Sequence, residues 1–199
     1  MGVLSPSSGQ FKTRPFSGKI YFTYDDLLSL PEWPSGPMLE LIKGELYLVH
    51  SPPLIHQDIT RNMLIAFERY LTLNELGVVY NAPVDVKLSE EDVVIPDLVV
   101  VLKERQHILE EHSITGTPDL IVEIMSSNKQ RDMGEKYDLY EQFGVTEYWT
   151  IIPEEKSTWV FTLGDDRRFG SGQRYSFEEK IESIVLRGFR TTLKELFKR

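Results

Sequence analysis

Apolar residues along this chain change their spacing in an ordered way. Between Leu54 and Leu71, the positions Ile55, Ile59, Met63, Phe67, Tyr70 and Leu71 recur mostly at steps of three and four, which predicts an amphipathic helix. Before it, "TYDDLLSL" predicts a short helix capped by Thr23, and "MLELIKGELYLVH" a hairpin turning at Lys43-Gly44. Apolar runs predict strands at about Val78–Leu88 and Val93–Leu102, with "SEED" as the turn between them. The charged stretch "KERQHILEEHSITGT" predicts a surface connection with one helical turn. A strand over Asp119–Met125, a helix from about Arg131 to Phe143 and a strand "EYWTII" follow. "STWVFTL", "QRYSF" and "IESIVL" predict short antiparallel strands, closed by a small helix at "TLKELF". This order is α/β with a β-rich tail: helices packed on a mixed sheet.

Two acids break the apolar pattern where a core strand should have none. In "VVIPDLVVVL", Pro96 cannot donate to a ladder, and Asp97 puts a carboxylate into a run of Val, Leu and Ile. In "DLIVEIM", Glu123 shares a strand face with Ile121 and Met125, and the opposite face carries Leu120, Val122 and Ile124. A charge in such surroundings costs several kcal/mol unless a lysine or arginine, a hydrogen-bond network or a metal ion stabilises it. Two carboxylates on adjacent core strands repel unless a cation lies between them, and oxygen ligands of this type suit Mg²⁺ or Mn²⁺.

The helix after Glu123 offers a cation. Asp132 and Glu135 have capping-box spacing, which starts the helix there and places Lys136 in its first turns. Lys136 shares a face with Tyr140, and that face, anchored by Tyr140 and Phe143, must cover the sheet. Lys136 is thereby carried towards the strand that holds Glu123. A lysine beside two carboxylates and a metal ion is suited to phosphodiester hydrolysis. The same pair, Glu123 and Lys136, also fits a buried structural salt bridge.

Composition narrows the classes. The 199 residues, 41% hydrophobic and 11% aromatic, suit one ordered domain over 21–199 behind a loose Ser/Gly/Pro-rich arm over 1–20. Cysteine is absent, which excludes disulfides, thiolate zinc sites and cysteine nucleophiles. His107 and His112 are five apart and do not form an HExxH face. No apolar run approaches the length of a membrane span and no signal peptide is evident, so a cytoplasmic protein with no membrane partner is expected. The net charge of −9 weighs against a surface that grips nucleic acid all round. Local basic patches remain available in the tail "LRGFRTTLKELFKR" and at Arg61, Arg69, Lys129 and Arg131.

The blocks "LELIKGELYLVHSPPLIHQ", "NAPVDVKL", "VIPDLVVV" and "GTPDLIVEIMSSNKQRDMGEKYDLYEQFGVTEYWTIIPEEKSTWVFTL" resemble, in content and order, the Uma-two family of restriction endonucleases. The resemblance runs from roughly Thr23 to Leu163. It implies the restriction-endonuclease-like fold of the PD-(D/E)xK superfamily: a central mixed sheet flanked by helices, with extra antiparallel strands near the C-terminus. It also implies a nuclease dependent on Mg²⁺ or Mn²⁺, with nucleic acid, DNA foremost, as partner. Asp97 matches the aspartate of the "PD" element and Glu123 the acid of the "(D/E)xK" element. Met125 stands where the superfamily lysine belongs, and Lys136 is its expected replacement. Asp97, Glu123 and Lys136 are thus the expected catalytic residues, and Asp97, Glu123 and Glu45 the expected metal ligands. His56 and Gln57 fit the family pattern without an assigned step. The competing expectation is a catalytically inactive nuclease-like module for binding or regulation, with a homodimer left open.

Overall fold

The stripe at steps of three and four forms the long helix. The computed structural model describes residues 20–30, 38–125 and 134–199. Residues 1–19 of the expected N-terminal arm lie outside the described residues, as do Lys129, Arg131 and the expected cap Asp132. Helix α1 (Tyr24–Leu28) is capped as expected: the Thr23 hydroxyl accepts from the Asp26 N–H, and the Asp26 carboxylate accepts from the Thr23 N–H. In α2 (Leu54–Asn74) the buried stripe is His56, Ile59, Met63, Phe67 and Leu71.

The hairpin of β1 (Met38–Ile42) and β2 (Glu45–Val49) turns at Lys43 and Gly44, both at positive φ. The two predicted long strands are not continuous. The first is β3 (Gly77–Asn81) and β4 (Asp85–Lys87); the second is β5 (Val93–Val94) and β6 (Leu98–Leu102). Each break holds a proline, Pro83 or Pro96, which has no N–H for the ladder. At both breaks the chain passes from one sheet to another.

The predicted surface connection is also more ordered than its charge suggests. Lys103–Ile108 forms a 3-10 helix, and β7 (Ser113–Thr115) pairs in parallel with β4. After β8 (Leu120–Ile124) come α3 (Glu135–Phe143), β9 (Glu147–Ile152), β10 (Ser157–Thr162) and β11 (Gln173–Tyr175). Helix α3 stops at Gly144, whose φ of 80° is the left-handed conformation that ends helices. A short β12 (Ile181–Glu182) and β13 (Arg190–Thr191) precede α4 (Leu193–Leu196).

One sheet runs β11-β10-β9-β8-β6-β3, with β8 and β9 parallel. The second runs β2-β1-β5-β4-β7, and β12-β13 make a small third. Side-chain alternation divides the larger sheet's contacts into two cores. On one face, Leu98, Val100, Leu120, Val122 and Trp149 pack with the α2 stripe and the C-terminal segment. On the other, Val99, Val101, Ile121 and Tyr148 pack with Leu139 and Tyr140 of α3 and with Val86 and Val94 of the second sheet. Each large apolar side chain fully buried there contributes about 1.5–3 kcal/mol. Glu123 belongs by alternation to the second face, and Asp97 follows the same alternation.

Candidate active site

The ladder between β6 and β8 pairs Leu98 with Val122. One step further sets Asp97 opposite Glu123. The ladder ends there with a side chain in place of a backbone group: Asp97 Oδ2 accepts from the Ile124 N–H at 2.6 Å. A second donor reaches that oxygen from α2, where His56 Nε2 lies 3.0 Å away. The other ring nitrogen of His56 lies 3.3 Å from the Thr60 hydroxyl, one turn along the helix. The acid in the apolar run is therefore held by backbone at one side and imidazole at the other.

Glu123 is held from α3. Lys136 Nζ donates to its Oε1 at 2.8 Å, and the Tyr140 hydroxyl donates to the same oxygen at 2.6 Å. The four-residue spacing of Lys136 and Tyr140 puts both on the face turned to the sheet. Burial, and next the charge of Glu123, push the Tyr140 pKa well above its usual value, so the phenol remains a donor. Lys136 is only 2% exposed, an unusual position for an ammonium group. A second carboxylate accounts for it: Glu40 Oε1, on β1, is 2.9 Å from Nζ. That oxygen also accepts from the Ile95 N–H at 2.9 Å.

Glu40, His56, Asp97, Glu123 and Lys136 line one cleft of about 560 Å³, walled by apolar residues including Ile55, Ile124 and Met125. Glu45 is not among its lining residues. It lies opposite Ile42 at the turn end of the hairpin, two residues along the strand pairing from Glu40 and Tyr47. The hairpin thus brings an acid to the cleft, and that acid is Glu40. Sequence reasoning passed over it, although Met38, Glu40 and Ile42 repeat the signal that singled out Glu123: an acid flanked by apolar residues on one strand face.

The donor set suits Mg²⁺ or Mn²⁺ by its chemistry. Asp97 and Glu123 offer hard carboxylate oxygens at the end of the β6–β8 ladder, and Mg²⁺ commonly takes one or two carboxylates and keeps several waters. Among the described residues there is no group of three or more acidic or histidine side chains arranged to hold an ion.

An antiparallel and parallel strand array with a helix supplying a lysine across its end defines the class: the chain has the restriction-endonuclease-like fold. It superposes with a TM-score of 0.74 on the crystal structure of "a putative nuclease belonging to DUF820" from Anabaena variabilis ATCC 29413, at 18% identity over 88% of this chain and 97% of that one. The Uma2 family, described as "Putative restriction endonuclease", matches residues 24–194, and the chain belongs to that family. No curated protein matches the sequence. Among the described residues, no helix is long and apolar enough to cross a membrane.

Proposed function

We propose that this protein is a divalent-metal-dependent nuclease that hydrolyses phosphodiester bonds in DNA. One observation carries the reading: Asp97, immediately before β6, and Glu123, on the neighbouring β8, line the same cleft as Lys136, whose ammonium rests on Glu123. The family and the similar solved structure, both described in terms of nucleases, support it.

Asp97 and Glu123 would hold Mg²⁺ or Mn²⁺ between them. An ion bound there supplies polarisation of the scissile phosphate and a water acidic enough to attack at neutral pH. The chain's own groups fix the acids. The Ile124 N–H and His56 orient Asp97, and Lys136 and Tyr140 orient Glu123. Lys136 places positive charge beside Glu123 at the cleft, where it offsets charge that develops on the phosphate oxygens. The apolar wall of Ile55, Ile124 and Met125 limits water around the reacting groups.

Incubation of supercoiled plasmid with the protein in Mg²⁺ or Mn²⁺ tests the reading, with chelator, Asp97→Asn and Glu123→Gln as controls. Cleavage that needs the metal and both acids is expected. Single-stranded DNA and RNA in parallel reactions identify the nucleic acid.

A second reading draws on the burial of Lys136 between two carboxylates, which is also how a purely structural ion network is built. In that case the protein is a nuclease-like module that binds without cutting. Calorimetric titration with Mg²⁺ separates the two, since a structural network takes up no ion.

A further inference from the structure

Glu40 joins the two halves of the candidate site. Its Oε1 accepts from the Ile95 N–H, two residues before Asp97, and lies 2.9 Å from Lys136 Nζ, which rests on Glu123. It comes from the second sheet, whereas Glu123 lies on the first and Asp97 immediately precedes that sheet's β6. It is fully buried.

We propose that Glu40 is a positioning residue that sets the cation affinity of the site by dividing the Lys136 ammonium with Glu123. The inference rests on the metal-dependent reading above. With both carboxylates ionised and the ammonium charged, the group Glu40–Lys136–Glu123 carries one net negative charge. A lysine with Glu123 as its only acidic partner would cancel that acid's charge. Divided between two acids at 2.8 and 2.9 Å, it holds Glu123 in place while the cluster stays attractive to a cation. Glu40 touches neither the cation nor the substrate in this scheme; it acts through Lys136.

Counting charge orders the variants. Glu40→Gln makes the cluster neutral and keeps an acceptor for the Ile95 N–H. Lys136→Met leaves it doubly negative. The double variant Glu40→Gln/Lys136→Met returns it to one negative charge. Mn²⁺ affinity, measured by calorimetry on each folded protein, is expected to fall in the order Lys136→Met, then wild type and the double variant together, then Glu40→Gln. Each step is roughly tenfold or more, as befits a unit charge several ångströms away in a partly buried site. Cleavage by Glu40→Gln should recover at raised Mn²⁺, whereas a merely structural role would lower the melting temperature and leave the Mn²⁺ affinity unchanged.

Equal Mn²⁺ affinity in wild type and Glu40→Gln overturns the proposal. Should Glu40→Gln fail to fold, the double variant and Lys136→Met decide it, because equal affinity in those two removes any contribution from the charge of Glu40. A wild-type protein that takes up no Mn²⁺ and cuts no DNA refutes the metal-dependent reading itself, which is a different outcome.

Discussion

The hydroxyl of Tyr140 lies 2.6 Å from Oε1 of Glu123, the same oxygen that Lys136 holds at 2.8 Å. Tyr140→Phe removes this donor and leaves the acid with its lysine. The variant should fold, lose about 1–2 kcal/mol of stability, and cut DNA more slowly because Glu123 is less firmly oriented. Denaturant unfolding and plasmid cleavage measure the two effects.

Tyr140 also gives stability an alkaline limit. Its pKa is raised in the folded protein, by burial first and by Glu123 next, so the native state keeps a proton that the unfolded chain releases near about pH 10. The contribution is fully present below that value and is lost as pH rises through the folded pKa. Wild type should therefore lose stability faster than Tyr140→Phe between about pH 9 and pH 11, and the gap between them should narrow. Unfolding curves across that range check it.

Divalent cations should stabilise the native protein. A ligand at about 100 times its dissociation constant adds about 2.7 kcal/mol, so millimolar Mg²⁺ or Mn²⁺ should raise the melting temperature measurably. Asp97→Asn should weaken that response. The absence of any shift in wild type would favour the structural ion network.

Lys136→Met separates charge from bulk. Methionine preserves most of the stem's volume, but the substitution leaves Glu40 and Glu123 buried without their shared ammonium. In chelator the loss of stability should be at least about 3–5 kcal/mol, and added Mg²⁺ should restore part of it. Cleavage in Mg²⁺ should be abolished. A folded variant that cuts at the wild-type rate removes Lys136 from the mechanism.

Glu147 offers a test of the fold away from the cleft. Its buried carboxylate accepts from Trp149 Nε1, the Ser183 hydroxyl and the N–H groups of Ile184 and Val185. Glu147→Ala leaves these donors without their acceptor and should cost at least about 3 kcal/mol, seen as a lower melting temperature.

Much of this was legible because burial leaves periodic traces. The α2 stripe, the hairpin and the reach of Lys136 to Glu123 follow from spacing alone. The prolines at 83 and 96 mark where the ladders fail, but a proline within a run does not say that the halves on either side of it join different sheets. Only tertiary pairing shows that the halves enter different sheets. Glu40 carries the same trace on its strand face as Glu123, whereas the family resemblance points to Glu45 in the same hairpin. His56 stands at the head of the buried stripe, where the apolar spacing points to its neighbour Ile55. Its contact with Asp97 joins residues from different elements, and one element's spacing holds no record of that.

The crossing at Pro96 separates two properties of the cleft. Downstream of it, Asp97 is placed against Glu123 by the β6–β8 ladder; upstream, Ile95 is tied to Glu40 beside the β1–β5 pairing. The spacing of the acid pair and the distance across to the hairpin wall therefore belong to different ladders. Hairpin substitutions away from Glu40 would move that wall without entering the ladder that sets the acid pair. Glu40 is the hairpin residue through which a shifted wall would reach Lys136 and, through it, Glu123.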